Sequence, residues 1–271
     1  MMNTLKFFSF IFLLTLISGD LSYSQIKGSK PFNLDFNREV LIIGTGSVAA
    51  VTAFAILENI KPFTPEEISL LDPADVNGFD RGAIGPFTED RAGDVLLYTS
   101  YLLPISFLAY GETKNDFLDL ALIYGEVLLM QASINGIVKG TVQRTRPFAY
   151  DDESPISEKT STDTRISFFS GHTSMSAAIS FFTAKVFTEY IEDNTAKILI
   201  WSGAVILPAA TALMRINSHW HFPSDVMVGY AVGALVGYLI PELHKTKVMD
   251  SLSIYTSINL NKPMLSVQII F

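Results

Sequence analysis

The sequence predicts an all-α fold: a six-helix bundle that crosses a membrane, followed by a short C-terminal β-hairpin. Of the 271 residues, 49% are hydrophobic and only 17% are charged, and the mean hydropathy is +0.33. A soluble domain carries about a quarter charged residues, so this composition favours a membrane or envelope protein. Six long apolar runs follow one another, and two stretches near the C-terminus alternate apolar and polar residues instead, as strands do.

Composition also excludes several classes of function. The chain has 19 basic and 27 acidic residues, a net charge of −8, which argues against a nucleic-acid partner held through its backbone charge. It has no cysteine, so disulfides, zinc–thiolate sites and thiol nucleophiles are excluded. We therefore expect a membrane partner and no nucleic acid. The sequence does not indicate the oligomeric state.

The N-terminal segment has the pattern of a secretory signal peptide. Lys6 precedes the apolar run 7–17, which is too short to cross a bilayer. Ser22 and Ser24 place small residues at −3 and −1 before Gln25. We predict a signal peptide at residues 1–24, with an uncleaved signal anchor as the alternative, and an N-terminal extension at 25–39.

The six predicted helices lie in one domain, residues 40–247. The first is about 27 Å long at a rise of 1.5 Å per residue, just enough to cross hydrocarbon. Polar connectors at 59–92 and 151–165 separate the first helix from the second and the third from the fourth. The predicted helices are Val40–Leu57, Val95–Tyr110, Phe117–Val138, Gly171–Ile191, Ala196–Met214 and Asp225–Leu243.

The last predicted helix and the tail behind it carry two further patterns. Gly229, Gly233 and Gly237 recur every four residues, which predicts close approach of another helix. In the tail, residues 248–271, apolar side chains alternate with polar ones from 251 to 260, and Pro263 interrupts the pattern. This alternation predicts a β-hairpin or two strands.

A first cluster of polar residues follows the third helix. Gln131, Asn135 and Lys139 stand at successive i+4 positions, so they form one polar stripe on an apolar helix. Arg146 lies seven residues beyond Lys139, about two turns, so both cations can project the same way. Taken alone, such charges are better explained as ordinary anchors at a membrane edge, because Lys and Arg are common at helix ends.

A second cluster, Ser170-Gly171-His172, stands at the predicted start of the fourth helix. Glycine allows close approach of a ligand, and the free N–H groups of a helix N-terminus bind anions. Ser170 adds a hydroxyl, and His172 can carry a proton near neutral pH. The alternative is an ordinary N-cap made by Ser170 or Thr173, with an incidental histidine.

The third cluster, Arg215 to Asp225, connects the fifth and sixth helices and includes His219 and His221. Asp225 can orient one ring nitrogen of His221 and leave the other free to attack a substrate. It can equally be a helix-starting residue favoured by the helix dipole. Three of the four histidines fall in these last two clusters, and ionisable groups at a membrane edge are costly enough to indicate function.

Taken together, the three clusters resemble the signature of a known family. Lys139-x6-Arg146-Pro147, Ser170-Gly171-His172 and Arg215-x5-His221-x3-Asp225 follow one another in the chain. In order and spacing they are similar to the three motifs of the type 2 phosphatidic acid phosphatase/vanadium haloperoxidase superfamily, in its membrane lipid phosphatase branch. The resemblance covers about residues 40–245. Phe169 and Met214 stand where the family usually has Pro and Ser.

The resemblance implies a metal-independent phosphoric monoester hydrolase that acts on a phosphorylated lipid. His221 would attack phosphorus to form a phosphohistidine, Asp225 would fix its tautomer, and His172 would protonate the leaving group. We expect no cofactor, no metal and a supporting role for His219. The implied phosphate-binding residues are Lys139, Arg146, Ser170, Gly171 and Arg215.

Three alternatives remain at the level of the sequence: a soluble periplasmic acid phosphatase, a vanadate-dependent haloperoxidase and a non-enzymatic membrane bundle. We expect the protein in the cell envelope, in the inner membrane with an extracytoplasmic active site. A cleaved leader conflicts with that location if all six helices cross, because the third helix would then end in the cytoplasm. A bundle in which some helices do not cross avoids the conflict.

Overall fold

In the computed structural model, residues 30–246, 252–259 and 262–269 are described. The predicted signal peptide lies outside these ranges. The described residues form nine α-helices, six long and three short, and two strands. The long helices are α1 Phe36–Glu58, α2 Arg91–Leu102, α3 Phe117–Val142, α4 Gly171–Tyr190, α5 Asn194–Asn217 and α6 Pro223–Leu243. The prediction of six helices did not include the three short helices. These are Pro65–Ser69, Gly111–Asn115 and Ile156–Lys159.

Several helix ends differ from the predicted ones for local reasons. α1 begins at Phe36, before the apolar run, because the side chain of Asp35 caps it by accepting from the Arg38 backbone N–H at 3.0 Å. α2 ends at Leu102 and a 3₁₀ helix continues to Ala109. Pro104 has no N–H to continue the α-helical pattern.

α4 is the central helix of the bundle. It packs against α2, α3, α5 and α6, while α1 packs on α3. The glycine spacing in α6 produces the predicted close helix contact: a Cβ on Gly233 or Gly237 would meet the backbone of Ser174 or Ala178 in α4. A Cβ on Gly229 would lie 2.8 Å from the carbonyl oxygen of Ser170. α6 therefore holds the start of α4 directly against its own first turns.

Five helical segments are long and apolar enough to cross a membrane. Among the described residues, α4 is not one of these five segments. Its buried faces carry many Ser and Thr residues, and the charged residues Lys185 and Glu189 lie in its second half. The outer helices expose large apolar side chains, as a lipid-facing surface requires. These features support a membrane location. The five segments are Phe36–Glu58, Arg91–Ala109, Phe117–Tyr150, Asn194–Asn217 and Pro223–Leu243.

The two strands follow the helical part of the chain. β1 is Leu252–Asn259 and β2 is Lys262–Ile269. They pair antiparallel, with Leu252 opposite Ile269 and Asn259 opposite Lys262.

Candidate active site

The three sequence clusters meet at one end of the bundle, where α3 and α5 end and α4 and α6 begin. The backbone N–H of Ser170 donates to the carbonyl of Asp225 at 3.1 Å, which joins the second cluster to the third. A Cβ on Gly171 would lie 3.7 Å from Nζ of Lys139, so the first cluster faces the start of α4. The residues predicted for the site are therefore brought together.

His221 is almost fully buried, with 1% of its surface exposed. Its Nε2 lies 3.1 Å from Nη1 of Arg146. Because a guanidinium group only donates, Nε2 is the acceptor and the ring proton is on Nδ1. Burial, followed by the positive charge of Arg146, holds the pKa of His221 well below its ordinary value. The imidazole is therefore neutral at pH 7, with the Nε2 lone pair directed towards the cations.

Asp225 does not contact His221 in the way that the sequence predicts. The distance from Nδ1 of His221 to Oδ2 of Asp225 is 3.7 Å, too long for a hydrogen bond. The hydroxyl of Ser167 bridges them: it donates to Oδ2 of Asp225 at 2.6 Å and lies 3.4 Å from Nδ1. Asp225 also accepts from the backbone N–H of Phe222 at 2.9 Å. It is thus both the helix-starting residue and the carboxylate behind the histidine.

Arg146 and Arg215 both lie against the Trp220 ring. Their guanidinium carbons are 4.7 Å and 4.8 Å from its centroid. Arg146 is fixed by donation from Nη1 to the Trp220 carbonyl at 2.9 Å, and Nη1 of Arg215 donates to Asp90 at 3.1 Å. Both side chains are buried, so these contacts hold their charges in fixed positions.

Three carboxylates that the sequence did not point to accompany these cations. Asp163 accepts from Arg146 at 3.0 Å, Asp90 from Arg215 at 3.1 Å, and Asp94 from His172 at 2.8 Å. Burial acts to raise the pKa of Asp163, but the charges of Arg146 and then Lys139 outweigh it, and the pKa is lowered. These acids compensate the buried positive charge. They lie in or beside the polar connectors, where acidic residues look like solvated surface.

His172 is the second residue of α4, and its Nε2–H donates to Oδ1 of Asp94. Burial, then the nearby charge of Arg215, lowers its pKa to about 4, although Asp94 acts in the opposite direction. Ser170 is the N-cap of α4 and accepts from the Thr173 backbone N–H at 3.4 Å. The N-cap that the sequence offered as the alternative is therefore present, and the Ser170 hydroxyl also lies 3.0 Å from the hydroxyl of Thr173.

His219 and Trp220 form hydrogen bonds that hold the connector between α1 and α2 against the site. Nδ1 of His219 donates to the carbonyl of Ala83 at 2.9 Å, and Nε1 of Trp220 donates to the carbonyl of Thr88 at 2.8 Å. A Cβ on Gly85 would collide with the His219 ring. His219 thus has contacts that fit the expected supporting role.

A further layer of polar residues, not predicted from the sequence, holds Asp225. Nη1 of Arg144 lies 2.5 Å from Oδ1 of Asp225, and Nη2 donates to Asp80 at 2.8 Å. Asp80 also accepts from the backbone and hydroxyl of Ser224 at 2.9 Å and 2.7 Å. Burial raises the pKa of Asp80, but the hydrogen bonds led by Arg144 bring it down to about 2. Asp80 therefore stays ionised beneath the site.

The fold and the site together give a helical membrane protein in which buried cations, two histidines and a helix N-terminus lie close together. The family model of the PAP2 superfamily matches residues 120–249, which contain all three motifs. This match confirms the resemblance that the motifs predicted. The chain is also similar to a solved structure of the first transmembrane PAP2 type phosphatidylglycerolphosphate phosphatase from Bacillus subtilis. The identity is 18%, the TM-score is 0.42, and the match covers 91% of this chain and 94% of that one.

Proposed function

We propose that the protein is a phosphatase that hydrolyses phosphomonoesters or diphosphates of lipids at the cell envelope through a phosphohistidine intermediate. One observation carries the proposal: the unprotonated Nε2 of buried His221 lies 3.1 Å from Arg146, beside the start of α4. A neutral imidazole lone pair directed into a cationic pocket is what attack on a phosphoryl group requires.

In the first step, Nε2 of His221 attacks phosphorus, the N–P bond forms, and the bond from phosphorus to the ester oxygen breaks. His172 gives its proton to the departing alkoxide. The Nδ1 proton remains on the ring, and the Ser167–Asp225 pair stabilises the positive charge that develops there. In the second step, water attacks phosphorus and loses a proton to His172. The N–P bond breaks, inorganic phosphate leaves, and neutral His221 is regenerated.

The phosphoryl oxygens are held by Lys139, Arg146 and Arg215, together with the Ser170 hydroxyl and the Gly171 N–H. Three cations offset the charge of the phosphoryl group and of the transition state, so the proposed reaction does not require a metal ion. The acids now bonded to two of them, Asp163 and Asp90, keep the cations oriented before substrate enters.

A phosphorylated lipid is the substrate class that this placement supports. The pocket lies at the end of helices whose outer faces expose large apolar side chains, such as Val51 in α1 and Leu213 in α5. A lipid with its chains against these faces would place its phosphate at the level of the bundle end. The same helices count against a soluble acid phosphatase.

The decisive experiment measures inorganic phosphate released by the chain purified in detergent micelles. We expect release from phosphatidate-type lipids or isoprenyl diphosphates to exceed release from a water-soluble phosphomonoester, to persist in chelator, and to be inhibited by vanadate. Oxidation of bromide with vanadate and peroxide would assign the haloperoxidase activity instead. No turnover of any phosphoester would favour the non-enzymatic bundle.

We propose further that the site faces the extracytoplasmic side of the inner membrane. In the structure α1 begins at the end of the bundle opposite the site. If every long helix crosses, an extracytoplasmic site places Asp35 on the cytoplasmic side, whereas a cleaved leader would place it outside. The two expectations are compatible only if some helices do not cross.

Labelling of single introduced cysteines determines which side of the membrane the site faces, because the chain has no cysteine of its own. Ser157 is exposed at the site end and Glu192 is exposed at the other end of α4. We expect an impermeant thiol reagent added to intact cells or spheroplasts to label Ser157→Cys and to spare Glu192→Cys. The reverse pattern would place the site in the cytoplasm, and labelling of both would indicate a bundle that does not span.

A further inference from the structure

A second cluster of buried ionisable side chains lies at the opposite end of the bundle from the phosphate-binding residues. Glu39 is in the first turn of α1, Glu126 is in α3, and His244 directly follows α6. Glu126 precedes Lys139 by thirteen residues, about 20 Å along the helix. The proposed reaction uses none of the three, and carboxylates buried among apolar helices are costly without a purpose.

The imidazole of His244 faces both carboxylates with the same nitrogen. Its Nδ1 lies 2.7 Å from the carbonyl oxygen of Ile240, which can only accept, so Nδ1 carries a hydrogen. Its Nε2 lies 3.0 Å from Oε2 of Glu39 and 3.0 Å from Oε2 of Glu126. The three potential ligand atoms are all within 4.8 Å of one another.

The two carboxylates lie against one nitrogen, where a proton or a metal ion can stand between them, and Arg38 pairs with Glu39 from another side at 2.7 Å. A proton on Nε2 serves only one carboxylate well, and the hydrogen bond is made to Glu39. Glu126 is 1% exposed, and neither of its oxygens receives a hydrogen bond from any described residue. His244, at 3.0 Å, is the charged group that the described residues place beside Glu126, and a buried carboxylate gains stability from each further partner. A metal ion would contact all three ligand atoms at once.

Neighbouring groups form hydrogen bonds that orient the side chains of Glu39 and His244, as hydrogen bonds to metal ligands do in metal sites. Oε1 of Glu39 accepts from the backbone N–H of Asp35 at 2.8 Å and from Nη2 of Arg38 at 2.7 Å. The bond from His244 to Ile240 fixes the tautomer that leaves Nε2 available. Ligand atoms around a tetrahedral ion with bonds of about 2.0 Å are about 3.3 Å apart. The two separations from Nε2 are 3.0 Å, close to that value, and the two carboxylate oxygens lie within 4.8 Å of each other.

We propose that Glu39, Glu126 and His244 bind a divalent transition-metal ion of the Zn²⁺ or Mn²⁺ class. One imidazole nitrogen and two carboxylate oxygens suit such ions. The ion would join α1, α3 and the end of α6, where the backbone N–H of Asn33 also donates to the His244 carbonyl at 3.0 Å. Its role is structural. The sequence predicted no metal because the three ligands stand far apart along the chain.

The test uses the full chain in detergent, stripped with chelator and titrated with Zn²⁺ by calorimetry in two buffers of different ionisation enthalpy. We expect one ion per chain, release of about one proton as the metal replaces the Nε2 hydrogen, and a higher unfolding temperature. Co²⁺ in the same site should give the visible absorption bands of a low-coordinate ion.

Glu126→Gln keeps the side chain's size but removes its charge, so it should weaken Zn²⁺ binding at least about tenfold. Glu242→Gln is the matched control, because Glu242 lies at the same end but pairs with Lys185 at 2.6 Å. Binding of less than one ion by the wild-type chain, no proton release, or equal affinity in Glu126→Gln would each overturn the proposal. Should Glu126→Gln fail to fold, stoichiometry, proton release and the Co²⁺ spectrum of the wild-type chain decide. None of these readouts depends on phosphate release.

Discussion

The Nδ1 atom of His221 lies 3.7 Å from Oδ2 of Asp225, and the hydroxyl of Ser167 connects them. The carboxylate therefore acts on the imidazole through a bridging serine as well as through its charge. Because Nδ1 must keep its hydrogen while Nε2 attacks, the bridge controls which tautomer is present. Ser167 should consequently be a positioning residue of the proposed reaction.

Ser167→Ala should lower kcat about 10- to 100-fold and change KM little, because it removes the acceptor of the Nδ1 hydrogen without touching the phosphate-binding cations. Ser202→Ala is the control, since Ser202 only donates to a carbonyl of its own helix, at 2.7 Å. Steady-state kinetics on one lipid phosphate measure both constants. A kcat equal to that of the wild type would remove Ser167 from the mechanism.

Asp94→Asn should move the alkaline limb of the pH–rate profile to lower pH. The proposed acid, His172, must be protonated, and the Asp94 carboxylate at 2.8 Å acts to raise its pKa above the value that burial and Arg215 would otherwise impose. Removing that carboxylate lowers the pKa of the acid, so the protonated form is lost earlier as pH rises. Profiles of kcat and kcat/KM measure the shift. An alkaline limb that does not move, or one that moves upward, would contradict the assignment of His172.

Substrate binding should raise the pKa of His172 relative to its value of about 4 in the free protein, because a bound phosphate offsets the nearby positive charges. The alkaline limb of kcat, which reports the complex, should then lie at higher pH than that of kcat/KM, which reports the free protein. Coincident limbs would mean that the phosphate does not sit beside His172.

Lys139→Ala should chiefly weaken phosphate binding. Inhibition by inorganic phosphate should require at least about tenfold more anion, since one charge-assisted contact is lost. Lys197→Ala, at the start of α5, is the control for loss of a lysine elsewhere. Unchanged inhibition, KM and kcat in Lys139→Ala would exclude this side chain from the phosphate-binding set.

Gly233→Ala should destabilise the bundle by about 1–3 kcal/mol, because a Cβ there would meet the backbone of Ser174 in α4. The matched control is Gly203→Ala in α5, where a Cβ meets nothing within 4 Å. That variant should be as stable as the wild type or slightly more so. Thermal unfolding in detergent compares the two, and equal midpoints would show that α4 and α6 are not in close contact.

The long helices and the three motifs could be predicted because their signals are local: runs of apolar residues, and basic or imidazole side chains at fixed spacings. The residues that form hydrogen bonds and ion pairs with those motifs could not be predicted. Asp90, Asp94 and Asp163 sit among acidic residues of polar segments, and only tertiary contacts distinguish them from solvated neighbours. Ser167 carries no signal of its own.

Helix ends were predicted least well, since caps and single prolines decide them. Asp35 starts α1 upstream of its apolar run, and Pro104 converts the end of α2 into a 3₁₀ helix. The Glu39, Glu126 and His244 cluster was missed for a different reason. Its residues come from two helices and from the residue that follows a third, and each one alone looks like an ordinary charge near a helix end or a polar residue in an apolar run.

Covalent trapping shows whether His221 is the nucleophile of the proposed reaction. A lipid substrate carrying labelled phosphate is mixed with the purified chain and quenched in alkali within one turnover. We expect label on the wild-type protein that is stable in alkali and lost in acid, as phosphohistidine is, and no label on His221→Ala, whose turnover should fall roughly a thousandfold or more. Full phosphate release by His221→Ala would exclude His221 as the nucleophile.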